Sequence, residues 1–312
     1  MIAGGGPAGL ACGIRLQELG WETEIHERRT YPLRKVCGEF LSPSGWHRLE
    51  SLGATGHLAA QPPAIVRARF EFAPGSVAEF PLVPAARGLS REAMDSALAA
   101  RFRALGGELF EGSERTESVE PDEVFVDARG RPVEAGASET WRGWKGYVDP
   151  RDIPAGLGGE VLTMLPVVGG YCGMSLVEDG RLGVCFVSDR KSAPHAILDS
   201  HPVLSRLSDR IHPHAAISGF RFRTVRGPGR IGDRLRVWPP LVGDGMSRAL
   251  GAGIAHAEHL ALGLAVPKDD GRDFAMAMIL HAAMCSTVLR AAGRWLPWRR
   301  RLLANAYRMT RG

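Results

Sequence analysis

The sequence predicts an α/β fold in which a parallel-sheet domain is interleaved with a mixed or antiparallel sheet domain and followed by a helical C-terminus. Three observations predict it. The chain opens on a short apolar strand, a glycine-rich turn and an amphipathic helix. Residues 141–187 are rich in strand-forming residues bounded by glycines. Residues 270–310 contain two helical stretches separated by Gly293 and Pro297.

The opening turn is Gly4-Gly-Gly6-Pro7-Ala8-Gly9, and its glycines have the G-x-G-x-x-G spacing. In this spacing the first glycine makes a tight turn, the second lets the backbone approach a pyrophosphate, and the third lets the helix pack on the strand. Free N–H groups and the helix dipole favour phosphate at such a helix start. The turn therefore predicts a Rossmann-like dinucleotide site, and an ordinary glycine-rich turn is the alternative.

The residues after the first helix support the dinucleotide interpretation. Residues 22–27 alternate like a strand that ends at Glu27, about 20 residues after the turn, where an acidic side chain accepts hydrogen bonds from adenosine ribose hydroxyls. Basic residues follow at once. Arg28 and Lys35 are candidates for neutralising nucleotide phosphates, and solvated surface charge is the alternative.

A second glycine motif lies far downstream. It runs Gly232-Asp233, then Pro239-Pro240, then Gly243-Asp-Gly245-Met246, and leads into an apolar helical stretch at 246–265. Backbone N–H groups at the start of that helix would favour a ligand edge on which negative charge develops.

These stretches together resemble a known family. The opening turn, the acidic strand end and Lys35-x-Cys37-Gly38-Glu39 resemble the flavin-dependent geranylgeranyl reductases, within the wider group that includes p-hydroxybenzoate hydroxylase-type monooxygenases and flavin-dependent halogenases. The downstream motif is similar to the flavoprotein pattern G-D-(x)5-P-P-x-x-G-x-G-M, with every spacing kept. The resemblance implies FAD as cofactor, held by Gly4, Gly6, Pro7, Ala8, Gly9, Glu27, Arg28, Lys35, Arg91, Asp233, Pro240, Gly243, Gly245 and Met246.

The resemblance also implies individual roles. Asp233 would accept a hydrogen bond from a ribityl hydroxyl, and residues 243–246 would lie beside the flavin N1–C2=O edge. Arg91, in the pattern G-L-x-R-x-x-x-D, would lie near the flavin, with an exposed helix arginine as the alternative. Cys37 is the candidate catalytic residue, and a small buried core cysteine is the alternative.

The resemblance further implies that residues 1–62, 84–130 and 226–264 form the FAD-binding domain. Residues 63–83 and 131–225 would form the substrate sheet, and residues 265–312 the C-terminal helices. Trp144 and Tyr171 are candidate substrate-pocket residues, with core packing as the alternative for each.

Three local features depart from a regular flavoprotein. Only three residues precede the first glycine, so the first strand should be short. Proline and glycine at 226–231 should weaken the strand before Gly232. Arg234 and Arg236 replace small residues and would either crowd the pyrophosphate or donate to it. In addition, alanine follows Asp127 where p-hydroxybenzoate-type hydroxylases have glycine, which counts against an aromatic hydroxylase.

By resemblance, the protein should be an FAD-dependent oxidoreductase that reduces an alkene-bearing or other hydrophobic substrate, with NAD(P)H or another donor reducing the flavin. Two alternatives stay open at this point. One is an oxygen-using monooxygenase or halogenase-like enzyme on the same fold. The other is a degenerate relative that binds a lipid or partner without turnover, since the departures above weaken the expected cofactor site.

Composition bounds the remaining classes. The chain has 312 residues, of which 45% are hydrophobic, enough for a substantial core. The five cysteines have no C-x-x-C spacing, so neither a zinc site nor a disulfide framework is indicated. No metal, nucleic-acid or nucleophilic-hydrolase constellation is present in the sequence. The chain begins inside the glycine motif and has no apolar run of about 20 residues, so we expect a cytoplasmic monomer.

The net charge of +5 comes largely from the C-terminal tail. Its arginines alternate with Trp295, Trp298, Leu302 and Leu303. A basic amphipathic segment of this kind binds anionic membranes, which suits a lipid-like substrate. A terminal helix that packs its tryptophans on the protein body is the other interpretation.

Overall fold

The computed structural model describes residues 1–73, 76–115, 123–131, 141–189, 193–264 and 272–285. Its strands are β1 (Ile2–Ala3), β2 (Glu24–Glu27), β3 (Phe40–Leu41), β4 (Ala64–Ala73), β5 (Ser76–Gly88), β6 (Glu108–Glu111), β7 (Val126–Asp127), β8 (Trp141–Val148), β9 (Val161–Val167), β10 (Gly170–Leu176), β11 (Leu182–Ser188) and β12 (Ile211–Phe220). Its helices are α1 (Pro7–Glu18), α2 (Pro43–Ser51), α3 (Arg91–Ala104), α4 (Pro194–Leu198), α5 (Pro202–Ser205), α6 (Gly245–Ala261) and α7 (Arg272–Cys285). The predicted α/β fold is confirmed.

The smaller sheet is parallel and has the order β6-β2-β1-β7 within the described residues. Ile2 pairs with Ile25 on one side and with Val126 on the other, so the chain's first strand is central. The short first strand was predicted correctly, because only two residues of β1 enter the ladder. The carboxyl ends of β1 and β2 therefore meet at one sheet edge, where the glycine turn and Glu27 lie.

Helices α1, α3 and α6 pack with this sheet around one apolar cluster. The sequence predicts a helix with Ser90 as its N-cap and Gly106 at its end, and α3 begins there, because the Ser90 hydroxyl accepts a hydrogen bond from Ala93 N. Helix α1 ends before Gly20, which has a φ of +84°. Helices α1 and α6 approach closely at Gly253, where a Cβ would collide with the Ala8 carbonyl. The predicted helices of this half are confirmed.

The larger sheet has the order β12-β8-β11-β10-β9-β4-β5-β3 in the part of the chain that the structure describes. Its pairs are antiparallel except for β4 and β9. Alternation in the sequence predicts strands at 64–72, 78–83 and 161–168. The first and third are confirmed as β4 and β9, and β5 extends beyond the second to Gly88.

The last strand of this sheet was predicted wrongly. The sequence pattern predicts a strand at 217–225, whereas β12 runs from Ile211 to Phe220, so the two overlap only at 217–220. A proline at position 213 hid it, since proline breaks strand patterns in sequence. The position is tolerated because β12 is an edge strand and its register shifts between Pro213 and Ala215. The interrupted helical pattern at 194–209 becomes the two short helices α4 and α5.

The two faces of the larger sheet pack into different clusters. Tyr171 and Val187 lie on one face, in a cluster with Phe40 and Leu241. Trp144 lies on the other face, where it packs in a cluster with Phe186, Ile197 and Leu204. The first face is thus the one turned toward the downstream glycine motif. We call it the inner face.

No helix among the described residues is long and apolar enough to cross a membrane. The basic amphipathic tail and the second C-terminal helical stretch lie outside the described residues.

Candidate functional site

The opening turn is built as its glycine spacing requires. Gly4 has a φ of +108°, and a Cβ there would collide with the Ala128 carbonyl. A Cβ at Gly9 would collide with the carbonyl of Gly4, so the helix packs directly on the turn. Gly6 is different, because a Cβ there would meet nothing within 4 Å. Gly4 and Gly9 are thus required by packing, whereas Gly6 borders open space.

The start of α1 leaves its backbone donors available. Gly6 is the N-cap residue and supplies no side-chain cap, and Pro7 occupies the first turn. No acidic side chain lies in that turn. The uncapped N–H groups and the helix dipole therefore make a site for an anion above Pro7 and Ala8.

Glu27 stands beside the turn. Its Oε2 accepts a hydrogen bond from Gly5 N at 2.9 Å, and its Oε1 accepts one from Arg29 N at 3.2 Å. A cleft opens next to it, lined by Gly4, His26, Glu27, Arg28, Lys35, Ser113, Glu114, Arg115 and Arg129. Burial lowers the pKa of Lys35 from its ordinary value. The cleft joins a carboxylate acceptor to several cations, a combination that suits a ribose and its phosphate.

The downstream motif lies against this turn. Gly232 has a φ of +58°, and a Cβ there would lie 2.8 Å from the Ala8 Cβ. The neighbouring Asp233 has a side chain that is 38% exposed, with Arg131 Nε 3.5 Å from its Oδ2. Two motifs more than 200 residues apart thus meet at the first turn of α1.

The remainder of this motif forms the start of α6. Gly243 turns the chain with a φ of +64° and packs on Phe40. Asp244 is buried and accepts a hydrogen bond from the Ser42 hydroxyl at 3.1 Å. Gly245 is exposed and borders open space, as Gly6 does.

Two candidates from the same motif differ in their surroundings. Met246 is buried in the cluster shared with α1 and α3, so it packs the helix against the body. Pro240 is exposed, at the start of a short 3-10 turn that ends at Val242.

Arg91 is not an exposed helix arginine. Its side chain is 14% exposed and donates two hydrogen bonds to Asp95, from Nε to Oδ1 at 3.0 Å and from Nη2 to Oδ2 at 2.7 Å. Burial acts to lower the pKa of Arg91, but the Asp95 carboxylate outweighs burial and raises that pKa, with smaller contributions from Cys37 and Asp233. Arg91 therefore lies within electrostatic reach of Asp233 in the downstream motif.

Arg234 and Arg236, which were expected to crowd the pyrophosphate or donate to it, have hydrogen-bond partners within the protein. Arg234 Nε donates to Asp127 Oδ2 at 2.7 Å, and Arg236 Nε donates to Thr224 Oγ1 at 2.7 Å. Burial acts to raise the pKa of Asp127, but hydrogen bonds from Arg129 and Arg234 hold it below its ordinary value.

The strand before Gly232 is weak, as the sequence predicts. Among the described residues, the stretch 226–231 has only an isolated bridge from Arg230 to Asp127. Neighbouring backbone hydrogen bonds still attach it to the sheet, since Asp127 N donates to Gly229 O and Ile231 N donates to Asp127 O.

Cys37 is half-buried, and its Sγ accepts a hydrogen bond from Glu39 N at 3.5 Å. Burial raises the pKa of the Cys37 thiol, so the reactive thiolate form is disfavoured at neutral pH. A role as nucleophile is therefore not supported by its surroundings, whereas contact with a ligand requires no thiolate.

The two aromatic candidates lie on opposite faces of the larger sheet. Tyr171 is on the inner face, where its hydroxyl lies 3.1 Å from His281 Nδ1 and is also hydrogen-bonded by the Leu241 backbone. Trp144 is on the other face and stacks on Phe186. Only Tyr171 therefore shares a face with the downstream motif.

Sequence reasoning missed a buried polar cluster on the inner face. Glu39, Lys145 and Tyr147 have almost no solvent exposure and hydrogen-bond one another. One signal was available in the sequence, since Lys145 interrupts an otherwise strand-like run, Trp-Arg-Gly-Trp-Lys-Gly-Tyr-Val. Its partner could not be found in this way, because Glu39 lies more than 100 residues earlier.

No protein-family model and no curated protein matches the sequence. Solved structures do match the fold. A flavoprotein/dehydrogenase from Cytophaga hutchinsonii has a TM-score of 0.77 at 16% identity, over 98% of this chain and 91% of that one. The flavin-dependent brominase Bmp2 has a TM-score of 0.72 at 18% identity, over 98% and 92%. Klebsiella pneumoniae HpxO, solved with FAD and uric acid, has a TM-score of 0.70 at 16% identity, over 99% and 96%. The chain therefore has the fold of these flavoproteins.

Proposed function

We propose that this protein is an FAD-dependent oxidoreductase. One observation carries the proposal: the opening glycine turn and the Gly232-Asp233 motif meet at Ala8, so one extended dinucleotide can contact both. The shared fold with flavoproteins supports it, and the HpxO structure contains FAD.

The residues present fit FAD. The open space at Gly6 and the uncapped start of α1 suit its pyrophosphate, and the Glu27 carboxylate suits the adenosine ribose. Asp233 is sufficiently exposed to accept a hydrogen bond from the ribityl chain. The backbone at Gly245, which opens α6, would offer N–H groups to the flavin ring.

Bound FAD would supply hydride transfer, and the chain's own residues would bind, orient and exclude water. Around Tyr171 the inner face is apolar, with Val187 and Phe220 in the same buried cluster. Tyr171 lies on the same face and is hydrogen-bonded by the backbone of Leu241, a residue of the downstream glycine motif. A hydrophobic substrate such as an alkene-bearing isoprenoid suits these surroundings. The corresponding reaction would be like that of a geranylgeranyl reductase, with NAD(P)H as the electron donor.

A second candidate is a flavin-dependent monooxygenase or halogenase-like enzyme. The observation in its favour is that several solved structures of this fold are described as a brominase or a halogenase. The two chemistries differ in their need for oxygen. We would reduce the protein anaerobically and then add either an alkene substrate or oxygen. A reductase consumes no oxygen during turnover, whereas an oxygenase or halogenase requires it.

The first test is whether the purified protein binds FAD. We expect a visible flavin spectrum near one FAD per chain, or reconstitution to that level. Asp233→Ala should reduce FAD affinity at least tenfold while leaving thermal unfolding almost unchanged, because the ion pair between Asp233 and Arg131 is partly exposed. A colourless protein that cannot be reconstituted would instead support the degenerate, non-catalytic alternative.

A further inference from the structure

Glu39 closes the loop that carries Lys35 and Cys37, and its backbone conformation is unusual. Its φ is +55°, and among the described residues it alone has a positive φ without being glycine. Residues with a Cβ adopt this conformation at a cost and keep it only where the surroundings impose it.

The surroundings of the Glu39 side chain provide that constraint. Lys145 Nζ donates to Oε1 at 2.6 Å, and the Tyr147 hydroxyl lies 2.8 Å from Oε2. Arg91 N donates to Oε1 at 2.8 Å. Lys145 and Glu39 are each 1% exposed at the side chain, so this ion pair is completely buried. One carboxylate thus connects the loop, strand β8 and the first residue of α3.

A buried ion pair is an inefficient means of stabilising a fold. Removing two charges from water costs about as much as their attraction returns, and an apolar pair of similar volume often does as well. Here that cost is combined with a left-handed backbone at the same residue. The buried ion pair and the left-handed backbone together indicate that residues 36–39 must follow one particular backbone path.

The loop path controls two candidate cofactor-site residues. Glu39 N donates to Cys37 Sγ, which fixes the thiol relative to the strained residue. The Glu39 carboxylate also holds the backbone of Arg91, whose guanidinium binds Asp95. A Cβ at Gly143 of β8 would lie 2.9 Å from Val36 Cγ1, so the loop lies directly on the sheet. Any shift of Glu39 would therefore move both Cys37 and Arg91.

We propose that Glu39 is a positioning residue whose ion pair with Lys145 holds residues 36–39 and the start of α3 in the geometry that FAD requires. The proposal rests on the proposed function, because it assumes that this loop and Arg91 face the cofactor. It predicts that the ion pair affects FAD affinity and the flavin spectrum rather than stability alone.

The test is a double-mutant cycle with Glu39→Gln, Lys145→Met and the combined variant. Three properties are measured: the FAD dissociation constant by flavin fluorescence, the absorption maxima of bound FAD, and the melting temperature. Glu178→Gln is the matched control. Glu178 accepts hydrogen bonds from Ser90 N at 2.8 Å and from the Ser90 hydroxyl at 2.6 Å, so it also anchors the start of α3, but no hydrogen bond in the described residues joins it to the 36–39 loop.

We expect Glu39→Gln and Lys145→Met each to weaken FAD binding at least tenfold and to shift the flavin absorption. The FAD affinity of the double variant should be no lower than that of whichever single variant binds FAD more weakly, because both substitutions break the same ion pair. Glu178→Gln should lower the melting temperature without either flavin effect. If Glu39→Gln fails to fold, the combined variant decides, because it leaves no buried charge unpaired and should still weaken FAD binding at least tenfold.

The outcomes separate the two proposals. If the wild type binds FAD and a folded Glu39 variant binds it with unchanged affinity and spectrum, Glu39 is not a positioning residue and the proposed function stands. If Glu178→Gln alters FAD affinity and spectrum as strongly as Glu39→Gln, the effect is general to α3 and the proposal is likewise overturned. If the wild type binds no FAD, the proposed function and this inference fall together.

Discussion

Gly6 and Gly9 belong to one motif but have different structural roles. A side chain at Gly9 would collide with the Gly4 carbonyl, whereas Gly6 has an ordinary φ of −83° and faces open space. We therefore expect Gly6→Ala to leave stability within about 1 kcal/mol of wild type and to weaken FAD binding at least tenfold, about 1.4 kcal/mol. Gly9→Ala should instead destabilise the fold. Urea unfolding and FAD titration of both variants test this, and equal FAD affinity in Gly6→Ala and wild type would contradict it.

His281 makes a second prediction at the scale of a residue. Burial lowers its pKa from 6.5 to about 4, so below pH 6.5 the unfolded chain binds a proton that the folded protein does not. The stability present above pH 6.5 should be lost progressively as the pH falls to 4, by about 3 kcal/mol for this group.

The pH effect can be isolated by substitution. His281→Phe should flatten the pH dependence of the unfolding free energy between pH 4 and 6.5, whereas replacing the exposed His57 should not. An unchanged slope in His281→Phe would show that other groups cause the acid sensitivity. Among these, burial also lowers the pKa of His214 to about 4.

How much of the site the sequence could predict depends on how far apart along the chain the interacting residues lie. Gly4, Gly9 and Gly232 were predictable because backbone conformation and close packing restrict such positions to glycine over a short span. The Glu39–Lys145 pair was not predictable, since neither residue has a local pattern that names its partner. The orientation of Trp144 was similarly hidden, because alternation along a strand does not say which face meets the rest of the protein.

At the scale of elements, the contact between α1 and α6 joins the two glycine motifs. At Gly253 a Cβ would collide with the Ala8 carbonyl, whereas a Cβ at Gly251 would meet the guanidinium of the Arg48 side chain. We expect Gly253→Ala to destabilise the fold by about 2–3 kcal/mol. Gly251→Ala should be neutral or stabilising, because alanine favours helix. Urea denaturation of both variants checks this, and a neutral Gly253→Ala would contradict the close packing.

Long elements with clear ends were predictable, and short elements were not. Helix α3 has a serine cap and a regular apolar face, so its start was correct. Strand β3 is only two residues long, and its pairing with the far end of β5 is a long-range property. In β3, Phe40 packs into the inner-face cluster while the adjacent Leu41 packs with α1 and α6. A strand this short has no periodicity that a sequence can display.

At the scale of the whole molecule, one extended ligand should contact both glycine motifs at once. With FAD at 100 times its dissociation constant, we expect a stabilisation of about 2.7 kcal/mol and a rise in melting temperature of roughly 5 °C. ADP or riboflavin alone, at the same concentration, should each give less than half this rise, because each contacts only one motif. A riboflavin shift equal to that of FAD would argue against a shared site.

The chain passes repeatedly between its two sheets: β1 and β2 belong to the smaller, β3 to the larger, β6 and β7 again to the smaller, and β8 again to the larger. Neither half is therefore encoded by one continuous stretch of gene. A recombination event could not exchange the larger-sheet half for another without cutting the smaller-sheet half as well. Changes to the inner face should thus arise in place, through substitutions on that face and lengthening of loops between existing strands.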